Sequence, residues 1–295
     1  MRNDENIKAL ICLLDDPDED IILHVEKQIM QLGENAIDDS WGITGAIYYG
    51  ETEDYRLEVY TNVAYSYVKV TDLKDVDKVQ AGGNLPTGTG VNIADHVVGL
   101  QPYSFWVFEQ LYDQDGNVIP GAFVDRNGDN VITNDDRYYK AVRPNWTFGF
   151  GFAFNYKNWD VSSSFRGQFG GQVYNSRILT SGWVDSAIPV NNNSLSNVLN
   201  FYGGESDLAF QNFNGNATFS DYFLEDATFL RCENIILGYK FNKLIKTSSL
   251  RLYGALNNPF LITKYGGQDP ENFGAIDTNF YPRPTSYTFG LSLDF

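Results

Sequence analysis

The segment Trp146-Thr-Phe-Gly-Phe-Gly-Phe-Ala-Phe-Asn-Tyr156 carries the strongest structural signal in this sequence. Six aromatic side chains occupy every second position, and Thr, Gly, Gly, Ala and Asn lie between them. Successive side chains of a β-strand point to opposite faces of a sheet. The segment therefore predicts a strand with one aromatic face and one face of small residues. Such a strand suits a wall against lipid, with Trp146 and Tyr156 at the two water interfaces.

The last eleven residues, 285–295, show the same alternation. The apolar positions are Tyr287, Phe289, Leu291, Leu293 and Phe295. In a membrane barrel, this segment would be the closing strand, with its apolar side toward lipid. In a soluble sheet the same side would face a core, and alternation over one strand does not decide between the two.

Other segments extend the period-two pattern in both directions. Leu57, Val59, Val63, Tyr65 and Tyr67 alternate with polar or small residues, and so do Ile235, Leu237, Tyr239 and Phe241. Lys157 and Asn158 predict a tight turn, while residues 171–226 form a long stretch rich in Asn, Ser and Gly. Short turns that alternate with long polar loops are typical of outer-membrane barrels. The sequence predicts an all-β fold, the strands of a transmembrane antiparallel β-barrel, with roughly eight to ten strands at about ten residues each.

Composition supports strands and excludes several classes of protein. Aromatic residues make up 15% of the 295 positions, which favours sheets and aromatic girdles. The net charge of -17 argues against a nucleic-acid partner, because phosphate contacts need clusters of Lys and Arg. Cys12 and Cys232 are too few for a disulfide framework or a zinc site. No run of 18 apolar residues predicts a transmembrane helix.

The N-terminal segment differs from the rest of the chain. Apolar residues recur there at helical spacing on both sides of Asp15-Asp16-Pro17-Asp18, which predicts a short acidic helical hairpin over residues 1–40. Residues 41–295 form the predicted barrel domain. Residues 1–20 are acidic and lack the basic start and apolar stretch of a signal peptide, which conflicts with an outer-membrane location.

Residues 125–136 predict a possible calcium loop. Asp125, Asn127 and Asp129 occupy positions one, three and five of a twelve-residue loop. The Val131 carbonyl occupies position seven, and Asp136 occupies position twelve. Calcium binds six to eight oxygen atoms, which this spacing supplies. Asn130 at position six and an Asp at position twelve depart from the usual pattern. The alternative is a polar turn held by its own side-chain hydrogen bonds.

Tyr103, Trp106, Phe108 and Tyr112 offer two interpretations. All four could stack on sugar rings, or the alternate members Trp106, Phe108 and Tyr112 could point into lipid or an aromatic girdle, which is the favoured interpretation. The substrate-binding residues stay unknown. No catalytic motif accompanies His24 or His96, so we expect no enzyme.

Several phrases resemble the SusC/RagA family of TonB-dependent outer-membrane transporters of Bacteroidetes. They lie in order at residues 103–110, 125–129, 156–160, 225–231, 237–239, 262–267 and 269–271, followed by the terminal Phe295. The resemblance covers residues 56–295 and implies the C-terminal portion of a large barrel that imports glycans or other oligomeric nutrients.

The resemblance also implies partners and a location in the outer membrane. The partners are the TonB system, a SusD-like surface lipoprotein, the barrel-assembly machinery, membrane lipid and a glycan or peptide substrate. Members of the family are far longer, so we expect a fragment or fusion that is not competent alone. Residues 1–40 resemble the N-terminal helical segment of SirB1-type transglutaminase-like proteins. The alternative is a soluble β-rich carbohydrate-binding module.

Overall fold

The computed structural model describes residues 39–51, 54–73, 76–84, 92–181, 219–245, 248–272, 275–277 and 281–294. These residues contain one short α-helix, α1 (Ser176–Ser181), two 3-10 turns (Asn134–Asp136 and Asp221–Phe223) and 16 strands. The strands are β1 (Asp39–Glu51), β2 (Tyr55–Tyr67), β3 (Lys78–Asn84), β4 (Asn92–Val97), β5 (Ser104–Val107), β6 (Gln110–Tyr112), β7 (Val118–Phe123), β8 (Tyr138–Lys140), β9 (Trp146–Tyr156), β10 (Trp159–Phe169), β11 (Gln172–Asn175), β12 (Leu224–Asp226), β13 (Phe229–Ile245), β14 (Ser248–Thr263), β15 (Ile276–Asp277) and β16 (Ser286–Asp294). The predicted helical hairpin lies outside the described residues, apart from Asp39 and Ser40, which begin β1.

Seven long strands form one antiparallel sheet, which we call the wall. Their order is β1-β2-β9-β10-β13-β14-β16, so each strand pairs with the next wall strand in the chain. The predicted all-β class is confirmed. Among the described residues the wall has seven strands, where roughly eight to ten were expected. The count is lower because the chain between β2 and β9 folds into small sheets of its own instead of crossing the wall.

The two ends of the wall differ. At one end, tight connections join β1 to β2, β9 to β10 and β13 to β14, and Lys157 turns with a φ of 53°. At the other end, three long insertions leave the wall at residues 68–145, 170–228 and 264–285. The described parts of these insertions, which we call the loop domain, pack on one another. Their shared core includes Phe105, Tyr174, Phe223 and Ile276, which come from all three insertions.

The faces of the wall separate by residue type. Phe152 pairs with Val59 and Ser163, and the next rows continue through Ile235, Leu256 and Tyr287. We call this side the aromatic face, and it contains the whole row from Trp146 to Tyr156. That row spans roughly 33 Å along the strand, which becomes about 25 Å at the usual tilt of barrel strands. An apolar band of about that height matches the hydrocarbon layer.

Aromatic side chains with polar tips occupy both ends of the aromatic face. Near the loop domain, the rings of Tyr65 and Trp146 lie 5.1 Å apart, and near the tight turns Trp159 lies 4.7 Å from Tyr239. Phe rings fill the middle, where Phe150 stacks on Phe165 at 4.7 Å. This distribution is that of two interfacial belts around an apolar band. In the described part of the chain, no helix is long and apolar enough to cross a bilayer.

Candidate functional site

The opposite side of the wall, which we call the polar face, carries charged side chains. Near the tight turns, Arg251 of β14 donates from Nε to Asp160 Oδ1 of β10 at 2.8 Å. The two residues lie on either side of β13, where Gly238 is the register partner of Asp160. A Cβ at Gly238 would come within 2.4 Å of the Asp160 carboxylate. The glycine therefore leaves room for an ion pair that spans three strands.

A larger group of charges lies at the loop end of the polar face. Its members, which we call the ion-pair network, are Arg166, Arg231, Glu233, Asp269, Glu271 and Arg283. Arg231 Nη2 donates to both carboxylate oxygens of Asp269, at 2.6 and 2.7 Å. The two side chains are only 2% and 3% exposed. Arg231 Nη1 also donates to Asn258 Oδ1 at 2.9 Å.

A β-bulge sets the position of Arg231. On a regular strand Arg231 would share a face with Ile235, which is on the aromatic face. The register shifts between Cys232 and Asn234, so that Arg231 pairs with Arg166 on the polar face. An extra residue in one strand changes the side to which the following side chains point. The bulge at Glu233 therefore keeps a guanidinium away from the apolar side.

Arg166 and Glu271 form the second half of the network. Arg166 Nη2 donates to Glu271 Oε2 at 2.6 Å, and Arg166 also donates to Glu233. Arg283 lies 3.0 Å from Glu271. Burial raises the pKa of the Glu271 carboxyl, but the hydrogen bonds and charge of Arg166 outweigh burial and hold the pKa below its usual range. Glu271 is therefore ionised at neutral pH, and the network holds the described parts of segment 264–285 against the polar face.

Polar contacts also join the three insertions at the loop end. Within the third insertion, Tyr265 donates to Asp277 Oδ2 at 2.8 Å, and burial followed by this hydrogen bond raises the pKa of the Tyr265 hydroxyl. Tyr174 N of the second insertion donates to the Ala275 carbonyl of the third at 2.8 Å. Gln110 N and Tyr138 Oη donate to the two oxygens of Asp221, at 3.0 and 2.5 Å. Because these partners are far apart in sequence, the loop domain is one packed unit over the end of the wall.

The predicted calcium loop curls around its own carboxylates. Asp136 Oδ1 accepts from Arg126 N at 2.9 Å and Oδ2 accepts from Thr133 N at 2.7 Å, while Asp125 accepts from Gly128 N and Asn130 N. These are the bonds expected of the alternative polar turn. Asn127 N also donates to Asp136, and Asp129 accepts from Val131 N. Over the described ranges, no three acidic, His or Cys side chains gather as a metal centre. Calcium binding stays a prediction.

We expect Asp136→Asn to loosen this loop. The backbone N–H of Thr133 is the largest cause of the lowered Asp136 pKa, and an amide offers only one oxygen to partners on both sides of the carboxylate. Hydrogen exchange of residues 124–137 at pH 7 should become at least roughly tenfold faster. The adjacent, exposed Asp135→Asn is the matched control and should leave the exchange unchanged. Equal exchange in both variants would contradict the assigned role of Asp136.

The sign of the pH effect follows from the same contacts. Because the folded-state pKa of Asp136 is lowered, its contribution to stability is present above the ordinary carboxyl pKa and is lost as the pH falls through the folded-state value. Acidification of the wild type should therefore lower the protection factors of residues 124–137, once the intrinsic slowing of amide exchange in acid is corrected for, as Asp136→Asn does at pH 7.

The aromatic residues 103–112 lie in the loop domain, and the girdle interpretation is wrong for Phe108, whose ring is buried there. Phe108 is 1% exposed, and the guanidinium of Arg137 lies 4.8 Å from its ring centre. Trp106 has Lys78 Nζ at 4.4 Å and Arg137 at 4.7 Å from its ring. Tyr103 and Tyr112 are exposed. These rings pack on cations of their own chain rather than forming one open stacking platform.

Strand β16 presents its predicted apolar row to the surroundings. Tyr287, Phe289, Leu291 and Leu293 pair with residues of β14 on the aromatic face. Tyr287 and Phe289 are 73% and 86% exposed. Phe295 lies outside the described residues, and the role of this row as a barrel-terminal signal stays a prediction.

Comparisons with known proteins agree with this geometry. The chain is 35% identical over 255 residues to "TonB-dependent receptor SusC" of Bacteroides thetaiotaomicron, a match that covers 83% of this chain and 25% of that protein. It is 26% identical to "TonB-dependent receptor P3" of Formosa agariphila, covering 74% of this chain and 21% of that protein. The chain thus spans about a quarter or less of the length of these relatives. No protein-family profile matches the sequence.

Solved structures show the same fold. The structure described as "Structure of the RagAB peptide transporter" superposes with a TM-score of 0.61 at 23% identity, over 87% of this chain and 29% of that chain. The "closed-closed" state of the RagAB peptide importer gives a TM-score of 0.60 over the same share of this chain. The wall therefore has the fold of part of a transmembrane barrel.

Proposed function

Since the chain belongs to the SusC/RagA family of TonB-dependent outer-membrane transporters, we propose that its wall forms part of the barrel through which glycans or other oligomeric nutrients enter the cell. One observation carries the proposal. The wall is apolar and exposed on one face, while the other face is polar and carries buried or half-buried charges near both of its ends. A barrel in lipid needs this combination, because its outside meets hydrocarbon and its inside meets water.

The loop domain supports the orientation of the wall. Long insertions are extracellular in barrels of this type, while the tight turns face the periplasm. The ion-pair network then lies inside the barrel, below the extracellular mouth. There it holds segment 264–285 against the inner wall, where the segment narrows the path of a solute.

Other partners follow from the family and from the sheet. In this proposal the complete transporter works with the TonB system and a SusD-like lipoprotein, and the barrel-assembly machinery inserts it. Within the described residues, β1 and β16 are the edges of the sheet. Unpaired edges are not tolerated in lipid, so we propose that further strands of a longer protein pair with them. The role is transport, and we expect no catalysis.

A soluble carbohydrate-binding module would bury the aromatic face under a second layer. Ile43, Phe289 and Leu291 are instead 67%, 86% and 71% exposed. Apolar surface on this scale marks an interaction with lipid or protein. The exposure therefore favours the membrane wall over the soluble module.

Calcium is a secondary proposal for the loop 125–136. The oxygen atoms of Asp125, Asn127, Asp129, Val131 and Asp136 would hold the ion, and the carboxylates would be released from part of their backbone contacts. Calorimetric titration with CaCl2 should give binding that Asp129→Asn weakens. If neither protein releases or absorbs heat on addition of calcium, the loop is a polar turn.

A pair of neighbouring cysteine variants tests the orientation of the wall. In a Cys12→Ser background, Ser162→Cys on the polar face should react with a membrane-impermeant maleimide at least roughly tenfold faster than Val161→Cys on the aromatic face. An apolar maleimide dissolved in the bilayer should show the reverse preference. Cys232 is buried, so its own reaction with either maleimide should add little to the measured labelling. Equal labelling by both reagents, with the protein in the soluble fraction, would overturn the proposal.

A further inference from the structure

A cavity of about 740 Å³ lies where the loop domain meets the aromatic face. We call it the collar cavity. Segment 139–146, which leads into β9, lines one side, and segment 169–172, which follows β10, lines the other. Trp146 and Phe169 are register partners at the loop end of these strands, and both line the cavity. The cavity therefore borders the apolar side of the wall and lies away from the polar face.

The two segments are held close by a glycine. Gly171 has a φ of 79°, and a Cβ there would come within 2.9 Å of Pro144 N. A side chain at this position would push the two sides of the cavity apart. The close approach shapes the cavity at the point where the chain leaves the wall.

Positive charge in the collar cavity comes from Arg143 and Lys140. Arg143 is exposed and forms no ion pair with any residue in the described ranges, while Lys140 Nζ lies 3.4 Å from Asp221. Burial and then the charge of Arg143 lower the pKa of the nearby His96, so that imidazole is neutral at pH 7. The attraction for an anion is therefore centred on Arg143.

A buried amide fixes the segment that carries Arg143. Gln101 is 5% exposed, its Oε1 accepts from Arg143 N at 3.1 Å, and its Nε2 donates to Asn145 Oδ1 at 2.9 Å. A buried side chain that bonds both flanks of a turn holds it in one conformation. The guanidinium is thus presented from a rigid support.

The collar cavity also contains hydrogen-bond acceptors. Gln172 Oε1 is buried and has no donor among the described residues, and Asp226 lines the same cavity. Buried acceptors normally have a partner, so this oxygen calls for a donor that the described residues do not supply. Inorganic phosphate would satisfy Arg143 and carries an O–H donor at neutral pH, but it has no apolar part to pack beside Trp146 and Phe169, which also line the cavity.

We propose that the collar cavity binds the phosphorylated headgroup of an outer-leaflet lipid that also carries N–H or O–H donors. The phosphate meets Arg143 and Lys140, the donors meet Gln172 Oε1 and Asp226, and the acyl chains run down the aromatic face beside Trp146 and Phe169. Interfacial Trp and a cation at headgroup depth are the usual elements of such recognition. The inference rests on the proposed membrane orientation, which places the loop end at the outer leaflet.

Native mass spectrometry of the purified outer-membrane protein that carries this sequence tests the inference. The protein is incubated in detergent with equal amounts of phosphatidylethanolamine and phosphatidylcholine, which share a phosphate but differ in N–H donors. The wild type should retain more phosphatidylethanolamine than phosphatidylcholine. Arg143→Gln should lower retention of both lipids by roughly tenfold. Gln172→Leu should weaken the preference for phosphatidylethanolamine, because Asp226 alone is left to accept from its N–H donors, and should keep the retention of phosphatidylcholine.

Controls separate this inference from the proposed function. Lys157→Gln removes an exposed cation at the opposite end of β9 and should change nothing. Excess inorganic phosphate should not displace the lipid, and displacement would assign the site to free phosphate instead. If Arg143→Gln retains lipid like the wild type while the protein still enters vesicles, the headgroup site is wrong and the barrel wall stands. If the protein does not enter vesicles, the membrane orientation itself is wrong.

Discussion

Arg231→Met is expected to lower the free energy of unfolding by about 3 kcal/mol, because it leaves a buried carboxylate without its main partner. Asp269 is 2% exposed and receives both of its short ionic hydrogen bonds from Arg231. Arg283 Nε lies 3.9 Å from Asp269 and is the remaining nearby cation, but its side chain is 46% exposed. Arg283 can offset only part of the loss, so the effect falls at the lower end of the range for broken buried pairs.

The urea midpoint of the folded protein in detergent, followed by the gel shift between folded and unfolded barrel, measures this effect. The matched control is Arg126→Met, which breaks the exposed pair with Glu109 and should cost at most about 1 kcal/mol. Arg231→Met combined with Asp269→Leu should recover more than half of the loss, since no buried charge stays unpaired. A single variant as stable as the control would show that the network does not hold segment 264–285.

Gly167→Ala is expected to reduce the folded fraction sharply, with a cost of about 3 kcal/mol, because the wall has no room for a Cβ there. Such an atom would lie 2.4 Å from the Phe229 carbonyl oxygen on the neighbouring strand and 2.4 Å from Phe148 Cζ. Phe148 could rotate, whereas the Phe229 oxygen belongs to the backbone of β13. The strands would have to separate locally, which breaks part of their hydrogen bonding.

Refolding into vesicles, with the folded fraction read from gel mobility, checks this prediction. Gly254→Ala is the control in the neighbouring part of the wall, where the added Cβ would make ordinary contact with Phe289 at 3.6 Å. Ala is the better strand residue, so Gly254→Ala should be neutral or more stable by about 0.5 kcal/mol. We therefore expect Gly167→Ala to lower the stability and Gly254→Ala to leave it unchanged or raise it. A similar loss of stability in both variants would contradict the assigned crowding at Gly167.

Alternation could be recognised from the sequence because it depends on local geometry alone. The row from Trp146 to Tyr156 and the row of β16 follow the two-residue period of any strand, and the tight turn at Lys157 follows from its neighbours. The polar face was visible in the same way, since Asp160 and Arg166 alternate with apolar residues.

The ion-pair network could not be recognised in this way. Simple alternation places Arg231 on the same side as Ile235, and only the bulge at Glu233 turns it to the polar face. Asp269 comes from 38 residues further along the chain, in a segment without periodicity. The residues 225–231 and 269–271 stood out only through their resemblance to a family. The only local indication of this network was the charge of Arg231 within an otherwise apolar row, which suggests that an acidic partner lies nearby.

The loop domain shows the same limit. Gln110 and Asp221 meet across 111 residues, and Phe108, expected in a girdle, is buried there instead. The order of residues by itself determines the local features of the fold. These are the side-chain period of the strands, the sites of the tight turns and the apolar character of one face. The partners of buried charges, the side to which Arg231 points and the collar cavity depend on which distant segments meet. Those contacts depend on the packing of the whole chain, because no short stretch of sequence contains both members of such a pair.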